Sequence, residues 1–249
     1  MTMLEVRNVT KRFGNLVAVK DVSMSVKPGE LRAIIGPNGA GKTTFFNMIS
    51  GYFPPTKGSI LFDGKDVTQL PAYRRVGLGM GRTFQITEIF PELTVRENLL
   101  TAAEVAAGQT LHMVSSRAAA KLANDVAAEM LALVGLTAKA DRLVGELAHG
   151  DQRTTEIGMA LAQLPRLLLL DEPTAGMGDQ ETYEITALIR RLHRENKYTI
   201  VLIEHDMRVV FHLADYITVL DQGNMLTEGT PKEIAASEAV QAAYLGGTG

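Results

Sequence analysis

From Leu4 to Val26 apolar residues recur largely at two-residue steps, through Leu4, Val6, Val9, Val17, Val19, Val22, Met24 and Val26. Such alternation predicts short antiparallel strands with one buried face, turning at Phe13-Gly14-Asn15. Lys27-Pro28-Gly29 punctuates the chain before a strand over residues 31–35, and Ser59-Ile60-Leu61-Phe62 followed by Asp63-Gly64 predicts a strand and a tight turn. Short-strand character returns over residues 76–85. Leu167-Leu168-Leu169-Leu170 does not alternate, which is the pattern of a strand buried on both faces of a parallel sheet. Thr199-Ile200-Val201-Leu202-Ile203 predicts a further strand, and residues 216–220 and 225–227 flank Asp221-Gln222-Gly223-Asn224 as a closing hairpin.

The helical period takes over elsewhere. Residues 43–50 read as a helix stopped by Gly51 and the breaker Pro54-Pro55. A helix over residues 93–107 opens with Thr94-Val95-Arg96-Glu97, a capping-box pattern. Residues 117–134 place Leu122, Val126, Met130 and Val134 at i, i+4 spacing, with Gly135 as the stop. Further helices are predicted over residues 155–164, 182–195, 207–214 and 231–245.

Composition changes this picture in one place. Residues 88–146 shift toward Ala, Leu, Glu and Lys, so an inserted helical subdomain interrupts one α/β domain, and 249 residues suffice to bury its core. A net charge of −3 gives no global attraction to nucleic acid or anionic lipid. Cysteine is absent, which excludes disulfides and thiolate zinc sites and is compatible with a cytosolic protein. No apolar run reaches the roughly 18 residues that span a bilayer, and the opening Met-Thr-Met-Leu-Glu-Val-Arg is not a signal peptide. Any membrane role is therefore expected to come through a partner.

The candidate chemistry centres on residues 31–44. Gly36, Gly41, Lys42 and Thr43 fit G-x-x-x-x-G-K-[ST] between an apolar run and a helix start, so Gly36, Pro37, Asn38, Gly39, Ala40, Gly41, Lys42, Thr43 and Thr44 are expected to cradle phosphate. Glycines allow close backbone approach, Lys42 supplies a point charge and Thr43 a hydroxyl for Mg²⁺. Asp171 and Glu172 end the leucine strand, where open α/β sheets place ligands; Asp171 suits Mg²⁺, and Glu172 suits polarising an attacking water. His205 ends the next strand and is placed to donate to a phosphate oxygen. Gln85 is a candidate for reaching metal or water, and Phe13 for stacking on an adenine ring. Ala148, His149, Gly150, Asp151 and Gln152 precede a helical run and form a second candidate anion site.

Taken together, Phe13, the loop of residues 36–43, Gln85, residues 147–152, residues 167–171, Glu172 and His205 resemble, in order, the motifs of ATP-binding subunits of ABC transporters. Gly81-Arg82-Thr83-Phe84-Gln85, Leu93-Thr94-Val95-Arg96-Glu97-Asn98 and Ala243-Tyr244-Leu245-Gly246 are similar to the branched-chain amino-acid importer branch, much of which urea importers share. The resemblance implies a RecA-like P-loop NTPase core (residues 1–85 and 161–240) with an antiparallel β layer, an inserted helical subdomain (86–160) and a C-terminal tail (241–249). It also implies ATP and Mg²⁺ as cofactors, with Thr43, Gln85 and Asp171 at the metal and Glu172, His205 and Gln85 in catalysis. A homodimer or a heterodimer with a paralogous subunit is expected, each signature loop (147–152) meeting the other subunit's γ-phosphate. Membrane permease subunits are expected to dock near residues 85–97, holding the protein at the inner face of the membrane, with no nucleic acid involved. Import of branched-chain or other hydrophobic amino acids is the expected task, with urea or amides as the alternative. Soluble nucleic-acid-linked ATPases of the family carry paired domains or basic extensions that this chain lacks; a sensor without turnover, or a small-molecule kinase, leaves Glu172, His205 or the signature loop without a role.

The chain departs from the general family pattern in two places, the signature and the D-loop. Ala148 offers no hydroxyl where the signature usually has Ser, and Asp151 brings negative charge where Gln is usual, so slower hydrolysis is expected. Gly178 stands at the usual Asp of the D-loop.

Overall fold

A computed structural model describes residues 2–83, 89–106, 117–195 and 198–245. In chain order the first half gives β1 (Leu4–Phe13), β2 (Leu16–Val26), β3 (Leu31–Ile35), α1 (Lys42–Ser50), β4 (Lys57–Phe62), β5 (Lys65–Asp66), α2 (Ala72–Val76), β6 (Met80–Arg82), α3 (Val95–Ala106) and α4 (Arg117–Val134). The second half gives α5 (His149–Ala162), β7 (Leu167–Asp171), α6 (Asp179–Arg194), β8 (Thr199–Ile203), α7 (Met207–Leu213), β9 (Tyr216–Asp221), β10 (Asn224–Gly229), α8 (Pro231–Ala235) and α9 (Glu238–Leu245).

The strands form two sheets. The alternating N-terminal segment makes an antiparallel layer in the order β2-β1-β4-β5. The larger sheet runs β10-β9-β3-β8-β7-β6, with parallel pairing from β9 to β6 and only β10 antiparallel. Its central strands have no polar face, and the reason lies in two separate cores. Leu168 and Leu170 of β7 point into a core shared with α3 to α7, while Leu167 and Leu169 point into a core shared with α1 and the antiparallel layer. The same division separates Ile200 and Leu202 from Val201 and Ile203 on β8. Helices on one face and a second sheet on the other leave the C-terminal ends of β3, β7 and β8 together at one edge.

Between the layers lies Arg32, 4 % exposed. Its guanidinium donates to Glu30, Thr218, Glu228 and the Ser25 carbonyl and lies over the Tyr216 ring, so burial leaves few of its donors unpaired. Arg75, 1 % exposed, donates instead to the carbonyls of Met48, Ile49, Leu70 and Thr68. It thereby satisfies the C-terminal carbonyls of α1; burial lowers its pKa to about 10.

Five sequence expectations need correction. The helix expected over 231–245 divides into α8 and α9, the chain leaving the helix at Ala236 and Ser237. Among the described residues of 76–83, strand character is confined to Met80–Arg82, because α2 ends at Val76 and Gly79 turns at φ +101°. The helix expected over 155–164 begins at His149, and the one expected over 182–195 begins at Asp179. Leu122 is 56 % exposed. The buried stripe of α4 runs instead through Ala123, Val126, Ala127, Met130, Leu131 and Val134, where small residues let α3 and α5 approach.

Candidate functional site

The glycine turn of residues 36–41 joins β3 to α1, the strand-turn-helix arrangement that the spacing predicts. Its shape is enforced from outside. A Cβ at Gly36 would stand 2.0 Å from the Leu220 carbonyl oxygen on β9, and one at Gly41 would stand 2.5 Å from that of Ala18 on β2. These glycines are required by packing as well as by approach to a ligand. The β9–β10 turn braces the loop further, since Gly223 donates its N–H to the Ala40 carbonyl at 3.1 Å and accepts from Lys20 at 2.7 Å. Gly41 caps α1 without a side chain, and the first-turn amides have no intrahelical acceptor, which leaves donors and the positive helix end for an anion.

Lys42, Thr43 and Thr44 share a cleft with Asn38 to Gly41, Leu16 to Ala18 of β2, Glu172, His205 and the turn residues Gln222 and Gly223. The Lys42 ammonium is buried and donates to the carbonyls of Gly36 (2.7 Å) and Pro37 (3.0 Å). Burial lowers its pKa and the charge of Glu172 opposes that shift.

Glu172 leaves β7 in a left-handed conformation, φ +46°, with its N–H donating to the Ile203 carbonyl at 3.0 Å. That turn, strained for a side-chain-bearing residue, directs the carboxylate into the cleft. Its Oε1 lies 2.5 Å from His205 Nε2, so both predicted residues meet, with the histidine on the carboxylate. Asp171 is almost fully buried; burial pushes its carboxyl above the ordinary range, while the Arg82 guanidinium at 3.2 Å from Oδ2 opposes this. Among the described residues Oδ1 has no hydrogen-bond partner. A buried, unpartnered carboxylate oxygen on the residue before the cleft-lining Glu172 suits a hard cation or its bound water. No group of three or more His, Asp or Glu side chains suited to a metal exists among the described residues; the candidate ligands are Thr43 at the cleft and Asp171 with its unpartnered Oδ1.

Other expectations fall elsewhere. Gln85 lies outside the described residues. Phe13 is half exposed at the end of the β1–β2 hairpin, edge-on to Phe53 at 5.5 Å with Lys11 over its ring, and it does not line the cleft. Leu16 and Val17 hold that rim instead. Residues 148–152 form the N-cap and first turn of α5 rather than a loop, away from this cleft. Gly150 donates its N–H to Glu181 Oε1 at 3.1 Å, and Glu181 Oε2 accepts from Gly178 at 3.3 Å. Asp151 lies 2.5 Å from Lys139 Nζ, so its charge is matched within the chain. His149 is exposed, and Gln152 donates to the Leu147 carbonyl.

Two residues that organise the site, Arg153 and Glu204, and one that fastens the neighbouring loop, Asn98, act through contacts that local periodicity does not record. Arg153 is buried in α5 and donates to the backbone carbonyls of Asp171 (2.5 Å) and Glu172 (3.1 Å). Glu204 is buried and accepts from the Thr174 hydroxyl (2.6 Å), the Thr174 N–H and the His205 N–H. It therefore orders both loops that carry Glu172 and His205. Asn98, fully buried, bonds the carbonyl and N–H of Phe90 and fastens residues 89–93 to α3. For Arg153 and Asn98 the local signal is a polar residue at a buried helical position; Glu204, just after β8, carries no such signal.

Residues 19–175 match the family model described as ABC transporter, and residues 224–249 match that described as branched-chain amino acid ATP-binding cassette transporter. The chain is 42% identical to the high-affinity branched-chain amino acid transport ATP-binding protein BraF of Pseudomonas aeruginosa, over 98% of each chain. Its fold is similar to the ADP conformation of an ATP-binding cassette of an ABC transporter, at TM-score 0.87 and 30% identity, covering 99% of both chains. A dimeric bacterial ABC transporter cassette is similar at TM-score 0.76 and 28% identity, covering 92% of this chain and 99% of that one.

Proposed function

This chain belongs to the ABC transporter family as a nucleotide-binding ATPase cassette, and from that membership we propose that it powers import of branched-chain amino acids through a membrane permease. The observation that carries the catalytic part is the convergence of Lys42, Thr43, Glu172 and His205 on one cleft. The substrate part rests on the C-terminal match and on the name of the relative in Pseudomonas aeruginosa.

In this reading the amides of residues 39–44 and the helix end hold the β- and γ-phosphates of ATP, and Lys42 turns from its own loop carbonyls toward them. Glu172 takes a proton from, or orients, the attacking water, and its left-handed turn keeps the carboxylate at the cleft. His205 leaves Glu172 to donate to a phosphate oxygen, so the present contact is the resting arrangement of that pair. Thr43 and Asp171 would hold Mg²⁺, with Gln85 as the third candidate, and the ion would neutralise charge on the phosphates. Leu16 and Val17 offer the apolar rim for the adenine, with Phe13 beyond them.

The site is completed in a head-to-tail dimer, with Ala148 to Gln152 of one copy, or of a paralogous subunit, facing the phosphates held by the other. Gly150 contributes an N–H, and Glu181, which now accepts it, must withdraw. Permease subunits dock near residues 85–97, where Asn98 fixes the loop preceding α3. Among the described residues no helix is long and apolar enough to cross a membrane, so the permease holds the cassette at the inner face.

Glu172→Gln tests the reading by gel filtration with Mg-ATP and by phosphate release. The variant is expected to form an ATP-stabilised dimer while turnover falls at least about 10²-fold. Retained turnover would remove Glu172 from its role. Uptake of labelled leucine by cells with and without the chain tests the substrate; unchanged leucine uptake with loss of urea uptake would reassign it.

A further inference from the structure

The helix after the phosphate loop carries a polar stripe that continues beyond the nucleotide contacts of its first turn. Thr43, Asn47 and Ser50 stand at i, i+4 and i+7 on α1, so they share one face. Thr43 is at the mouth of the cleft, and Asn47 and Ser50 continue the stripe toward β6. One side chain on β6 collects the end of that stripe. Arg82 donates to Asn47 Oδ1 at 2.8 Å, to Ser50 Oγ at 2.5 Å and to Asp171 Oδ2 at 3.2 Å, and its guanidinium lies 5.2 Å over the Phe46 ring. Ser50 is oriented for this contact because its own hydroxyl donates to the Asn47 carbonyl.

The strand supplies the register. β6 runs parallel to β7 with Arg82 opposite Leu169, which brings the arginine alongside the carboxylate two residues further on. The neighbouring Thr83 donates its N–H to the Leu169 carbonyl, and its hydroxyl accepts from the Asp171 N–H at 3.4 Å. Asp171 therefore has one oxygen occupied by a planar cation that is itself anchored twice on α1, while Oδ1 stays buried without a partner among the described residues. A planar guanidinium holds these acceptors in a fixed fork geometry; a lysine ammonium is a single point charge on a flexible stem and does not fix their relative placement.

We propose that Arg82 is a positioning residue that fixes the Asp171 carboxylate relative to Thr43, orienting Oδ1 for the cation and tying α1 to β7 as one body. The inference rests on the nucleotide-site reading above and deepens it. Arg82 touches neither nucleotide nor reacting atoms in that reading; it acts through Asp171 and Asn47.

The test follows binding of fluorescent mant-ATP to the purified chain during Mg²⁺ titration, and separately in excess EDTA, with thermal melting as the check on folding. For Arg82→Met the expected result is a rise of about tenfold in the Mg²⁺ concentration at half-saturation, with EDTA-condition affinity within about twofold of wild type. Arg82→Lys is expected to recover part of the loss, because it restores charge at Oδ2 without the fork. An unchanged or lower Mg²⁺ requirement in Arg82→Met overturns the proposal, and so does an equal loss with and without Mg²⁺, which would mark a purely structural role. If Arg82→Met does not fold, Asn47→Ala decides: it keeps the arginine charge but removes an anchor, and the Mg²⁺ requirement must rise by about threefold. No rise there overturns the proposal. Wild type lacking Mg²⁺-dependent binding would overturn the nucleotide-site reading, and this inference with it; wild-type dependence with unshifted variants would sink the inference alone.

Discussion

Gly36 and Gly39 belong to one motif yet carry different physical requirements. Gly36 stands at φ +149° with the Leu220 carbonyl where a Cβ would go, while Gly39 stands at φ +78° with nothing within 4 Å of that position. Gly36→Ala is therefore expected to cost about 3 kcal/mol of overpacking, lowering the melting temperature by roughly 6–12 °C. Gly39→Ala should cost only about 1–2 kcal/mol of backbone strain; equal losses in calorimetry would show that the Leu220 contact is unimportant. Asp151 is expected to slow hydrolysis through its charge, and Lys139 lies against it, so the penalty is expected to grow when that partner is gone. Lys139→Ala is expected to slow ATP turnover of the assembled transporter about three- to fivefold, and adding Asp151→Gln should restore it. A double variant as slow as the single one would exclude this electrostatic account.

At the scale of the element, caps and helix ends decide geometry that side-chain periodicity does not reach. Thr94 and Glu97 close a capping box at α3: the Glu97 carboxylate accepts from the Thr94 N–H and hydroxyl at 2.8 Å, and the Glu97 N–H donates back at 3.2 Å. These bonds hold the Glu97 carboxyl below its ordinary range. Thr94→Ala should destabilise the chain by about 1 kcal/mol, read as a shift in urea midpoint at constant slope. No shift would mean that the Leu143 bridge and the loop bonds of Asn98 suffice to start the helix. α5 carries the opposite lesson. Its first turn has no side-chain cap of its own, and Glu181 on another helix takes the Gly150 amide, so periodicity within residues 155–164 had no means of finding its start.

Across the whole molecule, charged groups fasten elements whose apolar faces alone leave their relative placement loose. Asp215, just before β9, accepts the Leu31 N–H at 3.0 Å, lies 2.9 Å from His193 Nε2 and 3.0 Å from Arg194, and so joins the end of α6 to the central sheet. Burial pushes its carboxyl up, but His193, the Leu31 N–H and Arg194 together outweigh that and hold it below the ordinary value. A depressed folded-state pKa means stability that is present above the unfolded value near 4 and lost as pH falls through the folded value. Wild type should therefore exceed Asp215→Asn in stability at pH 7, with the gap closing below about pH 4 in denaturant titrations. A gap independent of pH would assign the loss to hydrogen-bond geometry rather than charge.

Much of this protein was legible in the linear chain. Alternation along residues 4–26, the leucine run of β7, the glycine-lysine loop and the acids after β7 each act through neighbours one to four positions away, so period and spacing suffice to predict them. The order of those motifs carried the family. Tertiary structure alone decided the rest: that Arg82 and Arg153 reach Asp171 from different elements, that Glu204 orders two loops, that Lys139 answers Asp151, and that Leu16 and Val17, not Phe13, rim the cleft. Each of these depends on contacts between residues distant in sequence, where packing chooses the partner and no local pattern records it.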